Sequence, residues 1–222
     1  MRKKLNYILL ALFILTISVT AVFFSARKSN DLKNINLTAN NDNQNSRMQP
    51  ELAEKNFVVT PPISNALARV LKKPFGIKVS PNSSPVSPER FFGYHTGVDF
   101  EVFEPEENIE VPIYVICDGP LLLKKFATGY GGVAVQQCKI NETDVTIIYG
   151  HLKLDSISIK LNQQITAGEQ IGSLGKGFSA ETDGERKHLH LGIHKGTEIN
   201  LRGYAQTPAE LDDWIDVLTL LK

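Results

Sequence analysis

From Gly97 onward, apolar residues come in short runs separated by glycine-bearing turns, a spacing that suits strands and leaves little room for helices. Residues 98–102 alternate in polarity, and 113–117 form a short apolar run. Residues 120–126 follow the Asp118-Gly119 turn. Gly129, Gly131 and Gly132 mark a hairpin loop before 133–138, and 145–149, 157–160, 171–174 and 189–194 continue the pattern. The expected fold is mostly β, an antiparallel sandwich or partly open barrel. If 121–126 pairs back on 133–138, Cys138 returns toward Cys117. A disulfide and two reduced, buried thiols both fit that placement. Residues 67–71 are expected to form a short helix. Residues 208–221 are expected to form a C-terminal one, with Leu211, Trp214, Ile215 and Leu218 on one side.

The first half of the chain has another character. Arg2, Lys3 and Lys4 precede an uncharged, apolar stretch over 5–26, which Arg27 and Lys28 close. About 20 apolar residues cross a bilayer as a helix, and the basic cluster orients the short N-terminus toward the cytoplasm. An uncleaved signal anchor over 1–27 is the expectation, with a cleaved signal peptide as the competing reading. The polar, Asn-rich segment 28–56 reads as a tether too poor in apolar residues to fold. A single domain over 57–222 then lies in the cell envelope, outside the cytoplasm. Pro74, Pro81, Pro85 and Pro88 make its first stretch a long irregular approach, placed just before His95 where it could cover a site. A formal net charge of zero argues against nucleic acid as a partner.

Four of the five histidines stand in chemical contexts. His95-Thr96-Gly97-Val98-Asp99 and His188-Leu189-His190 each separate their polar groups by an even number of residues, so in extended chain each pair shares a face. Two histidines and a carboxylate from two strands satisfy a tetrahedral zinc that keeps a position for water. Either motif alone is weak; their union in one β domain, with Tyr149-Gly150-His151-Leu152 between them, is what carries weight. A structural zinc in a small metal-handling or carbohydrate-binding β module would need a fourth protein ligand, His188 or His151.

In this order the motifs resemble those of the lysostaphin-type, or LytM-domain, zinc metallopeptidases, which cut peptide bonds in bacterial peptidoglycan. Tyr94-His95 to Asp99, Tyr149 to Leu152 and His188 to His190 carry the likeness, with Asp118-Gly119, Gly129-Tyr130-Gly131-Gly132 and Ala167-Gly168 to Gly172 as stations between. The resemblance implies a LytM-type fold with one zinc ion per domain, held by His95, Asp99 and His190. It implies that His151 and His188 are the catalytic pair beside it. It also implies a membrane-anchored metalloendopeptidase whose partner is a peptidoglycan peptide. The alternative is a non-catalytic module of the same fold that binds wall material or activates a hydrolase. The charged segment 179–187 departs from the family's Ser/Thr-Gly-rich stretch. It reads as a solvated loop, or as a source of substrate contacts from Glu181, Asp183 or Glu185. His194 reads as a surface histidine and Asp118 as a turn residue.

Overall fold

A computed structural model describes residues 59–222. Its strands are β1 (Lys78–Val79), β2 (Gly93–His95), β3 (Gly97–Glu101), β4 (Pro112–Tyr114), β5 (Gly119–Ala127) and β6 (Gly131–Ile140). They continue with β7 (Thr143–Gly150), β8 (Gln164–Ile165), β9 (Gln170–Ser173), β10 (His188–Lys195) and β11 (Tyr204–Ala205). Six of them form one antiparallel sheet in the order β3-β10-β7-β6-β5-β8. The others form a three-stranded sheet, β1-β2-β11, and a two-stranded one, β4-β9. The fold is therefore mostly β and antiparallel, as expected, but the sheets do not close into a barrel.

The strands follow from their composition. In β10, Leu189, Leu191 and Ile193 are fully buried, and Val145, Ile147 and Tyr149 of β7 lie in the same core. Burial of such side chains contributes roughly 1.5–3 kcal/mol each, which fixes the register because a one-residue slip would turn them out. The β5–β6 hairpin brings Cys138 beside Cys117, and the two form a disulfide. A buried network backs it. The Tyr149 hydroxyl accepts from the Ile116 N–H and donates to Gln136 Oε1, and Gln136 Nε2 donates to the Cys117 carbonyl.

Three local expectations are corrected. The C-terminal helix over 208–221 is instead two 3₁₀ turns, Pro208–Asp213 and Val217–Thr219. Trp214 bridges to His194, and the Ile215 N–H donates to the Ile193 carbonyl, so β10 takes the backbone bonds a helix would need. The helix expected over 67–71 is a 3₁₀ turn at Ala66–Arg69, and residues 157–160 are irregular. The anchor over 1–27 and the tether over 28–56 lie outside the described residues. Among the described residues no helix is long and apolar enough to cross a membrane.

Candidate metal centre

Register brings the five expected site residues together. His190 of β10 lies opposite Asp99 of β3 on one side and Gly150 of β7 on the other, and His95 ends β2 opposite Tyr204 of β11. His151 follows β7 directly. Its φ of 62° turns the chain out of the strand, and a Cβ on Gly150 would collide with the Tyr130 ring. Three polar atoms converge on one point. His95 Nε2 stands 3.0 Å from His190 Nδ1 and 3.2 Å from Asp99 Oδ1, and His190 Nδ1 stands 3.2 Å from Asp99 Oδ1. Ligands about 2.0–2.1 Å from a tetrahedral zinc lie about 3.3–3.4 Å apart, so this triangle fits one face of such a site with small adjustment. All three residues are buried.

The outward nitrogens are tied down as metal-binding imidazoles require. His95 Nδ1 donates to the Pro74 carbonyl at 3.2 Å, and His190 Nε2 donates to the Tyr130 hydroxyl at 3.3 Å. Each bond leaves the inward nitrogen with its lone pair. Burial pushes His190 down to about 4, against partial opposition from Asp99, so the ring is neutral at neutral pH. Burial alone would raise the Asp99 carboxyl, but His188 and His95 beside it hold it well below the ordinary carboxylate range. Two imidazole nitrogens and a carboxylate oxygen form a donor set that suits a divalent cation.

His151 and His188 lie alongside each other, their rings 4.2 Å apart and tilted by 39°. Desolvation, reinforced by His188, holds His151 well below its usual pKa, and its buried Nδ1 has no hydrogen-bond partner. His188 Nδ1 donates to the Arg186 carbonyl at 2.9 Å, and its Nε2 lies 3.3 Å from Asp99 Oδ2. Arg186 itself was not anticipated. Its guanidinium donates to Asp99 Oδ2 at 2.8 Å and to both oxygens of Glu101. The signal was there in the alternation, because 186, 188 and 190 share one parity and 99 and 101 another.

The approach before His95 folds across this centre. Lys73 and Glu89 form a buried ion pair at 2.5 Å, and Lys73 Nζ also donates to the Tyr204 hydroxyl at 2.9 Å. Phe91 stacks on Tyr204 with ring centroids 5.2 Å apart. Arg90 reaches the far side to pair with Glu185 and Asp183. The cavity left beside the centre, lined by Lys73, Phe91, Tyr130, His151, His190 and Tyr204, measures about 100 Å³.

Residues 179–187 are not a freely solvated loop. Asp183 accepts from the Gly129 N–H at 2.7 Å, Glu181 from the Lys176 N–H, and the buried Lys187 ammonium donates to three backbone carbonyls of 106–109. Their acids are engaged within the chain. His194 is half-buried against the edge of Trp214, not free on the surface, whereas Asp118 caps a turn by accepting from the Ala167 N–H, as expected.

Solved structures similar to the chain include the catalytic domain of the antimicrobial peptidase lysostaphin from Staphylococcus simulans, at 18% identity and a TM-score of 0.42, covering 66% of this chain and 85% of that one. LytU is 19% identical with a TM-score of 0.44, covering 69% of this chain and 91% of that one. Csd3 from Helicobacter pylori is 24% identical with a TM-score of 0.41; 68% of this chain is covered but only 35% of Csd3. No curated protein matches the chain. Residues 93–201, which span His95, Asp99, His151, His188 and His190, match the model of peptidase family M23. Over that segment the chain belongs to peptidase family M23, as a LytM-type domain.

Proposed function

We propose that this chain is a zinc-dependent metalloendopeptidase that hydrolyses peptide bonds in bacterial peptidoglycan, held at the membrane by its N-terminal segment with the domain outside the cytoplasm. The observation that carries the reading is the buried triangle of His95 Nε2, Asp99 Oδ1 and His190 Nδ1, with two further imidazoles beside it. His95, Asp99 and His190 would hold the zinc, and the chemistry it would supply when bound is Lewis-acid activation of water and of a peptide carbonyl near neutral pH.

The protein's own groups do the rest. His151 is neutral at neutral pH, and Nδ1 is free to accept a proton or to form a hydrogen bond with substrate. His188 is oriented by the Arg186 carbonyl so that Nε2 points inward, where it can accept a proton and, once protonated, bind the developing oxyanion. Tyr130 and Pro74 fix the tautomers of His190 and His95. Support for membrane attachment comes from the apolar stretch over 5–26 alone. The test is digestion of purified peptidoglycan with mass analysis of the fragments. Peptide-bond cleavage that chelation stops, and that His190→Ala abolishes, is the expected outcome. Intact peptidoglycan after long incubation with metal-loaded protein would sink the hydrolase reading.

A further inference from the structure

Asp99 divides its two oxygens between two tasks. Oδ1 faces His95 and His190, each at 3.2 Å, while Oδ2 is taken by Arg186 Nη2 at 2.8 Å and lies 3.3 Å from His188 Nε2. The Arg186 fork is itself held. Nη2 donates to Glu101 Oε1 at 2.6 Å and Nε to Oε2 at 2.9 Å, a two-point geometry that only arginine can make. Register explains the meeting, because His188 pairs with Glu101 and His190 with Asp99, which leaves residue 186 to reach across both carboxylates. The only other cation paired with the Glu101 carboxylate among the described residues is Lys72, half-exposed and 3.7 Å away, since Arg69 reaches only the Glu101 carbonyl. Through its carbonyl, Arg186 also orients His188.

We infer that Arg186 is a positioning residue: it occupies Asp99 Oδ2 so that the carboxylate meets a metal through Oδ1 alone, and Glu101 serves to hold the Arg186 fork. The inference rests on the metal reading proposed above. A carboxylate with both oxygens free can bind through both and close the position a catalytic site keeps open. Partners of this kind around metal ligands are worth about 10–100-fold in metal affinity or activity.

The test uses the whole chain titrated with cobalt(II), whose visible spectrum reports coordination number and geometry. Arg186→Met alone would strip the guanidinium from two buried carboxylates at once and risk the fold, so the informative variant is Glu101→Gln combined with Arg186→Met. One positive and one negative charge leave together, and the orienting contact on Oδ2 is what remains to be measured. Cobalt affinity is expected to fall about 10–100-fold, with a spectrum shifted from that of the parent chain. Arg186→Lys, which keeps the charge without the fork, should lie between the two. A merely structural role would lower the melting temperature and leave the spectrum unmoved. Parent affinity and an unchanged spectrum in the double variant overturn the inference while leaving the metal reading intact. If the double variant does not fold, the same outcome in Arg186→Lys overturns it. A parent chain that takes up no cobalt overturns both.

Discussion

Gly97→Ala tests whether the centre depends on the close approach of β3 and β10. A Cβ on Gly97 would lie 2.6 Å from the Leu191 carbonyl oxygen and 2.8 Å from Cε1 and Nε2 of His190. Ordinary contact begins near 3.4 Å, so the imidazole must retreat by about 0.6 Å and the carbonyl by about 0.8 Å. The carbonyl belongs to the ladder in which Gly192 pairs with Gly97, and it resists; the ring is the part that can swing. Overpacking of this kind costs about 1–3 kcal/mol, which lowers Tm by about 2–4 °C for each kcal/mol in a domain of this size. The functional loss should be larger, because displacements approaching 1 Å at a reacting centre cost about 100-fold in rate. Gly192→Ala is the control: its nearest contacts are the Trp214 edge at 3.3 Å and His190 Nε2 at 3.5 Å. Metal titration and peptidoglycan digestion of both variants provide the assay. If Gly97→Ala binds metal and cleaves as well as Gly192→Ala, the steric argument is wrong.

The remaining predictions concern stability. Tyr149→Phe leaves the buried Ile116 N–H and Gln136 Oε1 without their partner, and at about 1–3 kcal/mol per group the urea midpoint should fall by the equivalent of about 2–6 kcal/mol; no change would mean that the network relaxes. Replacing Cys117 and Cys138 by serine opens a loop with a sequence separation of 21 and should cost about 3 kcal/mol in chemical denaturation. Acid should destabilise the metal-free chain in a defined window. His190 titrates near 4 when folded but at its ordinary 6.5 when unfolded, so the unfolded chain binds the proton first as pH falls. Its contribution is complete above about pH 6.5 and declines by about 3 kcal/mol on the way to pH 4, with His151 acting in the same direction. Stability that is flat or rising on acidification through this window contradicts the buried, neutral state of both rings.

Much of the frame is legible in the sequence because strand alternation is local. The segment 189–194 reads as a strand from its own Leu, Leu and Ile spacing, and the hairpin that brings Cys117 and Cys138 together follows from Gly129, Gly131 and Gly132. The convergence of Asp99, His188 and His190 follows from parity once the strands are known, whereas His95 arrives from a separate sheet and His151 through the positive φ just beyond β7. Residues 208–221 misled because their helical spacing is equally compatible with turns, and the choice is made by β10, whose Ile193 carbonyl accepts from Ile215. Arg186, Lys73 and Glu89 escaped notice for a related reason. Each is a common charged residue whose meaning lies in a partner distant in sequence, as in the 85-residue separation between Arg186 and Glu101. Segment 179–187 differs from a solvated loop for the same reason, since nothing in its composition tells that Arg90 pairs with Glu185 and Asp183.

The irregular approach that folds across the centre before His95 has a consequence for binding equilibria. A cavity of about 100 Å³ admits a few waters, whereas ligand pockets run to about 300–1,000 Å³, so a peptide substrate of the proposed kind would need Phe91, which lines the cavity and stacks on Tyr204, to move aside. Substrate affinity is then scaled by the fraction of molecules in that state, and each tenfold excess of closed over open chains weakens the apparent Kd about tenfold. Affinity measured on such a protein would report the packing of Phe91 on Tyr204 and the nearby Lys73–Glu89 ion pair as much as the cavity beside the centre.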